Sequence, residues 1–353
     1  MSVIATNVVL VLNSNGSFTV TNNGLGLPVE INPKTSKTYL EMQLTCLSAF
    51  RGDRDRKYFI TGGFYGVGMA VINALSEWLE VTIWRDDKIY QQRYERGKAV
   101  TTLEASPNPD NKTGTSITFR PDPEIFNNDI RLNINNLKIR LRELAYLNCG
   151  LNINHQDNYF NSENLSFNYP QGIKDYLSEV NQNRQVINSE AFYLKSQISD
   201  VVVEVALQWC NDNYEEEFFN TFPGLAFYRE WQYRYGEESA AIMADSIHVL
   251  SFANYTYTFL NGTHVDGLKQ GIVNSFNYVY KNKYPHTEVT FDWHKLSHGL
   301  TGVVSVLLPE PEFSGPIKWG LANSEIVDIV CNCVEPSLIE YLQRTPQILD
   351  LLL

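Results

Sequence analysis

The chain has 353 residues, 43% of them hydrophobic, and a formal net charge of −12. That length fits two domains, and so acidic a chain is a poor non-specific nucleic-acid binder, since neutralising phosphates takes Lys and Arg. Five cysteines (Cys46, Cys149, Cys210, Cys331, Cys333) lack paired metal-ligand spacing and read as buried, reduced thiols of a cytoplasmic protein. No signal-peptide pattern follows Met1 and no apolar run reaches 18 residues, so no membrane partner is expected.

In chain order, "NVVLVLNSNGSFTV" predicts a hairpin, with strands Val8 to Leu12 and Ser17 to Thr21 turning at Asn15-Gly16. "SKTYLEMQLTCLSA" (36–49) reads as a helix and "FRGDRDRK" as a charged loop. "GGFYGVGMAVINALSEWLEV" follows, with Gly62, Gly63, Gly66 and Gly68 ahead of Val71, Ile72, Leu75 and Leu79 at helical spacing. A glycine-rich loop that opens a helix presents free N–H groups and the positive dipole end to an anion. Spacing alone leaves a plain turn and a phosphate site equally open, because neither GxxxxGK[ST] nor a strand feeding a dinucleotide fingerprint is present. A second hairpin follows, Leu79 to Trp84 and Ile89 to Glu95 around "RDDK". Then come a loop at 105–114, the strand "TSITFRP", a helix over "INNLKIRLRELAYLN" with Leu137, Leu141, Leu144 and Leu147 in one stripe, and the strand "CGLNINH".

The polar stretch 156–168 marks a domain boundary, giving domains 1–170 and 171–353. The second half restarts with the strands "VVVEVALQW" and "VLSFANYTYTFL", then a helix over "GTHVDGLKQGIVNSFNYVYKN" capped by Thr263. The strand "LTGVVSVLLPEPEF" follows, then a helix from Ser324 expected to kink or break at Pro336. Both halves are α+β. Residues 213–246 stand outside this rhythm as an insertion with nine aromatics and many acids. It reads either as a surface loop or as a partner-binding segment.

These segments carry a resemblance. "GGFYGVGMAVINALS" resembles the GGLHGVGxSVVNALS of the DNA gyrase B family, and "NNGLGLPVEINPKTSKTYLE" its DNGRGIPV–HPKTGKSALE. "KTGTSITFRPDPEIF", "LRELAYLNCGLNI", "VEVALQWC", "GTHVDGLK", "LTGVVSVLLPEPEF" and "NSEIVDIV" follow in the family's order, with a cyanobacterial flavour. The resemblance implies a GHKL (Bergerat-type) ATP-binding α/β sandwich followed by a ribosomal S5-like transducer domain. It implies a type II DNA topoisomerase region that uses ATP and Mg²⁺ and clamps two copies together. The implied partners are a second copy or a gyrase-like protein, with DNA only inside a larger complex. The nucleotide-binding positions it implies are Asn22, Gly24, Gly26, Pro28, Gly62, Gly63, Gly66, Val67, Gly68, Thr115 and Lys318.

Departures from the family bear on activity. The family's catalytic Glu and Mg²⁺-binding Asn lie on a helix before the first hairpin; no Glu-x-x-x-Asn precedes Val8, so no catalytic residue and no metal ligand are assigned. The adenine-reading Asp is Asn22, the motif Arg is Leu25, the lid His is Tyr65, HAGGKF is "SAFRGD", and the Gln-Thr-Lys loop is Pro316-Ile317-Lys318. The expectation is a diverged, truncated paralogue with weakened ATP binding and no hydrolysis, acting as a binding or regulatory module. The alternative is an active ATP-hydrolysing fragment completed by a missing N-terminus or a partner polypeptide. An uncovered apolar patch is expected on the first hairpin's sheet face, with 213–246 as the preferred partner contact.

Overall fold

The computed structural model describes residues 5–47, 67–126, 133–160, 163–211, 248–315 and 318–351. These residues form two compact units, one ending at Pro170 and the other starting at Gln171. Segment 213–246, Ser48 to Asp53, Gly62, Gly63, Tyr65, Gly66, Pro316 and Ile317 lie outside the described residues.

The first unit is built on one large sheet. β1 (Asn7–Leu12) and β2 (Phe18–Asn22) pair antiparallel around Gly16, which holds φ 78°. α1 (Tyr39–Thr45) is shorter than the expected helix; it starts at Thr38, whose side chain accepts from the Glu41 N–H. α2 (Gly68–Ala74) stops before Leu79, contrary to the helical spacing. The cause is the alternation Leu79, Val81, Ile83, which buries one side of β3 (Ser76–Arg85) and overrides the longer period. β3 turns through Asp86 and Asp87, both at positive φ, into β4 (Lys88–Glu95).

β5 (Lys98–Ala99) and β6 (Glu104–Pro107) both pair with β4, so part of the expected loop is strand. β7 (Gly114–Pro121), α3 (Ile134–Leu147), β8 (Asn152–Asp157) and β9 (Leu165–Phe167) complete the unit. The sheet order is β5-β4-β3-β7-β2-β1-β8-β9, with β8 parallel to β1.

The two faces of this sheet differ. One buries Leu79, Val81, Ile83 and Tyr94 with Leu40 and Leu44 of α1, and further along Ile153 and Phe167 with Leu141 and Ala145 of α3. Between these clusters, on the same face of β2, Val20 is 36% exposed. The expected uncovered patch is therefore narrow, because Thr19 and Thr21 point to the opposite face. There the side chains bond one another across strands. Thr19 Oγ1 lies 2.9 Å from Thr118 Oγ1, and Thr21 Oγ1 lies 2.8 Å from Ser116 Oγ. The rows continue through Arg93 Nη1 to Glu80 Oε1 at 2.5 Å and Gln91 Nε2 to Thr82 Oγ1 at 3.4 Å.

The second unit opens with α4 (Ile173–Val180) and β10 (Phe192–Ile198), an edge strand that the sequence pattern did not announce. β11 (Val201–Trp209) and β12 (Val249–Ala253) follow. The expected single strand at 249–260 is a hairpin instead. Asn254 and Tyr255 take positive φ and return the chain as β13 (Thr256–Tyr257). α5 (Thr263–Lys283) is preceded by Gly262 as its N-cap, not by Thr263. Gly262 holds φ 120°, and a Cβ there would sit 2.3 Å from the Leu321 backbone, so no side chain fits the capping position. α6 (Trp293–Leu296), β14 (Leu300–Leu307), β15 (Phe313–Ser314) and β16 (Gly320–Leu321) follow.

α7 (Glu325–Arg344) runs unbroken through Pro336, and α8 (Gln347–Leu351) comes after it. An interior proline costs about 3 kcal/mol. Buried Val330, Val334, Leu338 and Leu342 continue on both sides of it and offset that cost. Ser275 Oγ bridges the helices there, 2.6 Å from Gly271 O and 3.1 Å from Glu335 O. The sheet order is β10-β11-β14-β12-β13. Of the cysteines, Cys210, Cys331 and Cys333 are buried, but Cys149 is exposed and Cys46 half-buried, against the expectation of uniform burial.

Candidate nucleotide site

Four predicted site residues of the first unit, Asn22, Gly24, Gly26 and Thr115, gather where β2 ends. Asn22 pairs with Thr115 across β2 and β7. Its side-chain Oδ1 accepts the Gly24 N–H at 3.0 Å, an Asx turn that bends the chain off the sheet. The Asn23 Oδ1 accepts from the Thr6 and Asn7 N–H groups, both at 2.9 Å, and bolts the turn to β1. Asn23 was not singled out from sequence; the doubled Asn before Gly was its only signal. Thr115 is buried, and its Oγ1 accepts the Leu27 N–H at 3.1 Å.

Two glycines are required here. Gly26 takes φ 79°, and a Cβ would meet Trp84 O at 2.9 Å. Gly114 takes φ 140°, and a Cβ would stand 2.0 Å from Asn22 O. Any side chain at either position would push the turn away from β3 and β7. Gly24 is buried and Pro28 half-buried, whereas Leu25 is 51% exposed. Thus Asn22, Gly24, Gly26 and Thr115 form one hydrogen-bonded corner.

Val67 and Gly68 open α2, and among the described residues no heavy atom lies within 4 Å of the would-be Cβ of Gly68. Among the described residues no hydrogen bond joins them to the Asn22 corner. Gly62, Gly63 and Gly66 lie outside the described residues. Lys318 belongs to the second unit. It is buried at φ 60°, with Nζ 5.0 Å from the Phe313 ring centroid, and burial lowers its pKa to about 8. Among the described residues no group of three or more His, Cys, Asp or Glu is arranged to hold a metal, and no helix is long and apolar enough to cross a membrane.

The family model for DNA gyrase B matches residues 232–353. The chain is 37% identical to the DNA gyrase B protein of Synechocystis over 98% of its own length and 29% of that protein. It is 33% identical to the chloroplastic/mitochondrial DNA gyrase B protein of Oryza sativa over 99% of itself and 45% of the relative. With the DNA gyrase B protein of Thermotoga maritima the identity is 34%, over 97% of this chain and 50% of that one. The chain therefore spans half or less of these relatives.

Among solved structures, the 43K ATPase domain of Thermus thermophilus gyrase B, in complex with an aminocoumarin, superposes with a TM-score of 0.74 at 29% identity. That match covers 99% of this chain and 81% of the other. The topoisomerase IV ATP-binding domain of Francisella tularensis, with a small-molecule inhibitor, gives 0.76 at 25% identity, covering 99% and 84%. The mixed α/β fold is thus that of GHKL ATPase domains joined to a transducer-type domain. The chain is similar to DNA gyrase B proteins over nearly its whole length.

Proposed function

We propose that this gyrase-B-like ATPase and transducer region keeps a nucleotide site weakened toward ATP, has lost turnover, and acts as a regulatory binding module in a DNA-topology complex. The observation that carries the reading is the engaged Oδ1 of Asn22. In the family, as the resemblance has it, this position is a carboxylate that accepts from adenine. Here the residue has one oxygen, already bound to the Gly24 N–H. Hydrogen bonds to charged groups contribute about 1.5–3 kcal/mol, so replacing the carboxylate weakens ATP by roughly ten- to a hundredfold.

Exposed Leu25 removes a cation from the same loop. Lys318 is the one residue of its loop that keeps the family identity, and its lowered pKa reflects the cost of burying the charge. By this reading ATP and Mg²⁺ are the family's ligands, held poorly here, and DNA is met only through a gyrase-like partner or a second copy. A second reading, an active fragment completed by another polypeptide, is favoured by the intact corner at Gly26 and Gly114.

Steady-state phosphate release by the purified 353-residue chain decides between them. The expected result is no ATP-dependent release above background. Turnover near that of an intact gyrase B ATPase fragment, abolished by Asn22→Ala, supports the second reading and overturns the first.

A further inference from the structure

We infer that the base-recognition corner at Asn22 is inverted in hydrogen-bonding sense and takes a 6-oxopurine nucleotide in preference to a 6-aminopurine one. The inference rests on the nucleotide-site reading above and deepens it.

The amide of Asn22 has a fixed orientation. A backbone N–H bonds an oxygen and not an NH₂ group, so the Gly24 N–H at 3.0 Å assigns Oδ1 to the turn. Nδ2 is the branch left over, and among the described residues it makes no hydrogen bond. Thr115, opposite Asn22 in the register, points the same way. Its Oγ1 receives the Leu27 N–H at 3.1 Å and keeps both its proton and a second lone pair, so this hydroxyl serves either hydrogen-bonding sense. Asn22 thus presents a fixed donor, with the adaptable Thr115 hydroxyl beside it. Beside them on the same face of β2, Val20 is 36% exposed and forms an apolar floor for a flat ring.

A carboxylate in the same Asx turn would keep one oxygen on Gly24 and offer its second oxygen, an acceptor suited to an exocyclic amino group. Asparagine puts a donor at that place. A purine carbonyl at C6, as in guanine or hypoxanthine, accepts from Nδ2 and from the Thr115 hydroxyl. An amino group at C6 meets the Nδ2 donor with a donor. Flipping the amide to rescue adenine leaves the Gly24 N–H facing NH₂ and unpaired, which is costly where Gly24 is buried.

Calorimetry on the 353-residue chain with the non-hydrolysable β,γ-imido analogues of GTP, ITP and ATP tests this. The GTP and ITP analogues are expected to bind about tenfold tighter than the ATP analogue, one neutral hydrogen bond gained against one mismatch. Asn22→Asp retains an oxygen for Gly24 and reverses the ratio. An ATP analogue that binds wild type as tightly as the others overturns the inference and leaves the nucleotide reading standing. So does a ratio that Asn22→Asp does not move. Binding of none of the three overturns both.

Discussion

The two units are held together differently. The second has one continuous cluster of thirty buried residues among those described, lying between its sheet and the α5 and α7 helices. α5 presses on α7 so closely that a Cβ on Gly267 would stand 2.3 Å from Val327 O. The first unit splits its described core into clusters of six and five buried residues at the two ends of the sheet. Between them lies exposed Val20, while α2, packed on the first cluster through Met69, leaves Val71, Ile72 and its C-cap Leu75 37–40% exposed. The second unit is closed on itself. The first leaves Val20 exposed beside its hydrogen-bonded corner.

The contrast is most directly broken at Trp209. It is fully buried, packs 5.4 Å from the Phe276 ring and donates from Nε1 to Leu296 O at 3.0 Å. Trp209→Ala is expected to cost about 3–5 kcal/mol, read as a lower urea midpoint for the second unit. A loss under about 1 kcal/mol would mean that this core is looser than its packing indicates.

Acid sharpens the contrast next. His264 is wholly buried beside Thr258, and burial lowers its pKa from 6.5 to about 3. The folded state holds the ring neutral while the unfolded chain protonates below pH 6.5. This stability is therefore fully present above 6.5 and lost as pH falls toward 3. From pH 7 to pH 5 the loss is about 2 kcal/mol for this group. Urea titrations at both pH values should show it, with His264→Gln flattening the slope between them. An equal slope in the variant would place the titration elsewhere.

The smallest effect belongs to the open unit. Ile72→Ala removes a half-exposed side chain and should change stability by no more than about 0.5 kcal/mol. A cost above about 2 kcal/mol would show that α2 is covered in solution.

Short-range chemistry was legible in the sequence. The Asn-Gly hairpin, the strand "VVVEVALQW" and the Leu137–Leu144 stripe depend on neighbours within a few residues, and each forms as expected. The failures are long-range. Thr263 has the right chemistry for a cap, but the approach of Leu321 reserves that place for Gly262. Pro336 reads as a break until α5 is packed beside it. The Asn22, Gly24, Gly26 and Thr115 identities were readable from the motif. That the Asn22 oxygen is spent on its own turn was not, since it follows from backbone geometry rather than composition.

The hydroxyl and amide rows on the first unit's outer face also bear on crowding. Side chains that already bond their cross-strand neighbours offer water a wettable plane but give a second flat sheet few vacant partners. Two copies meeting there would displace ordered solvent for little return, so stacking at high concentration is disfavoured on that side.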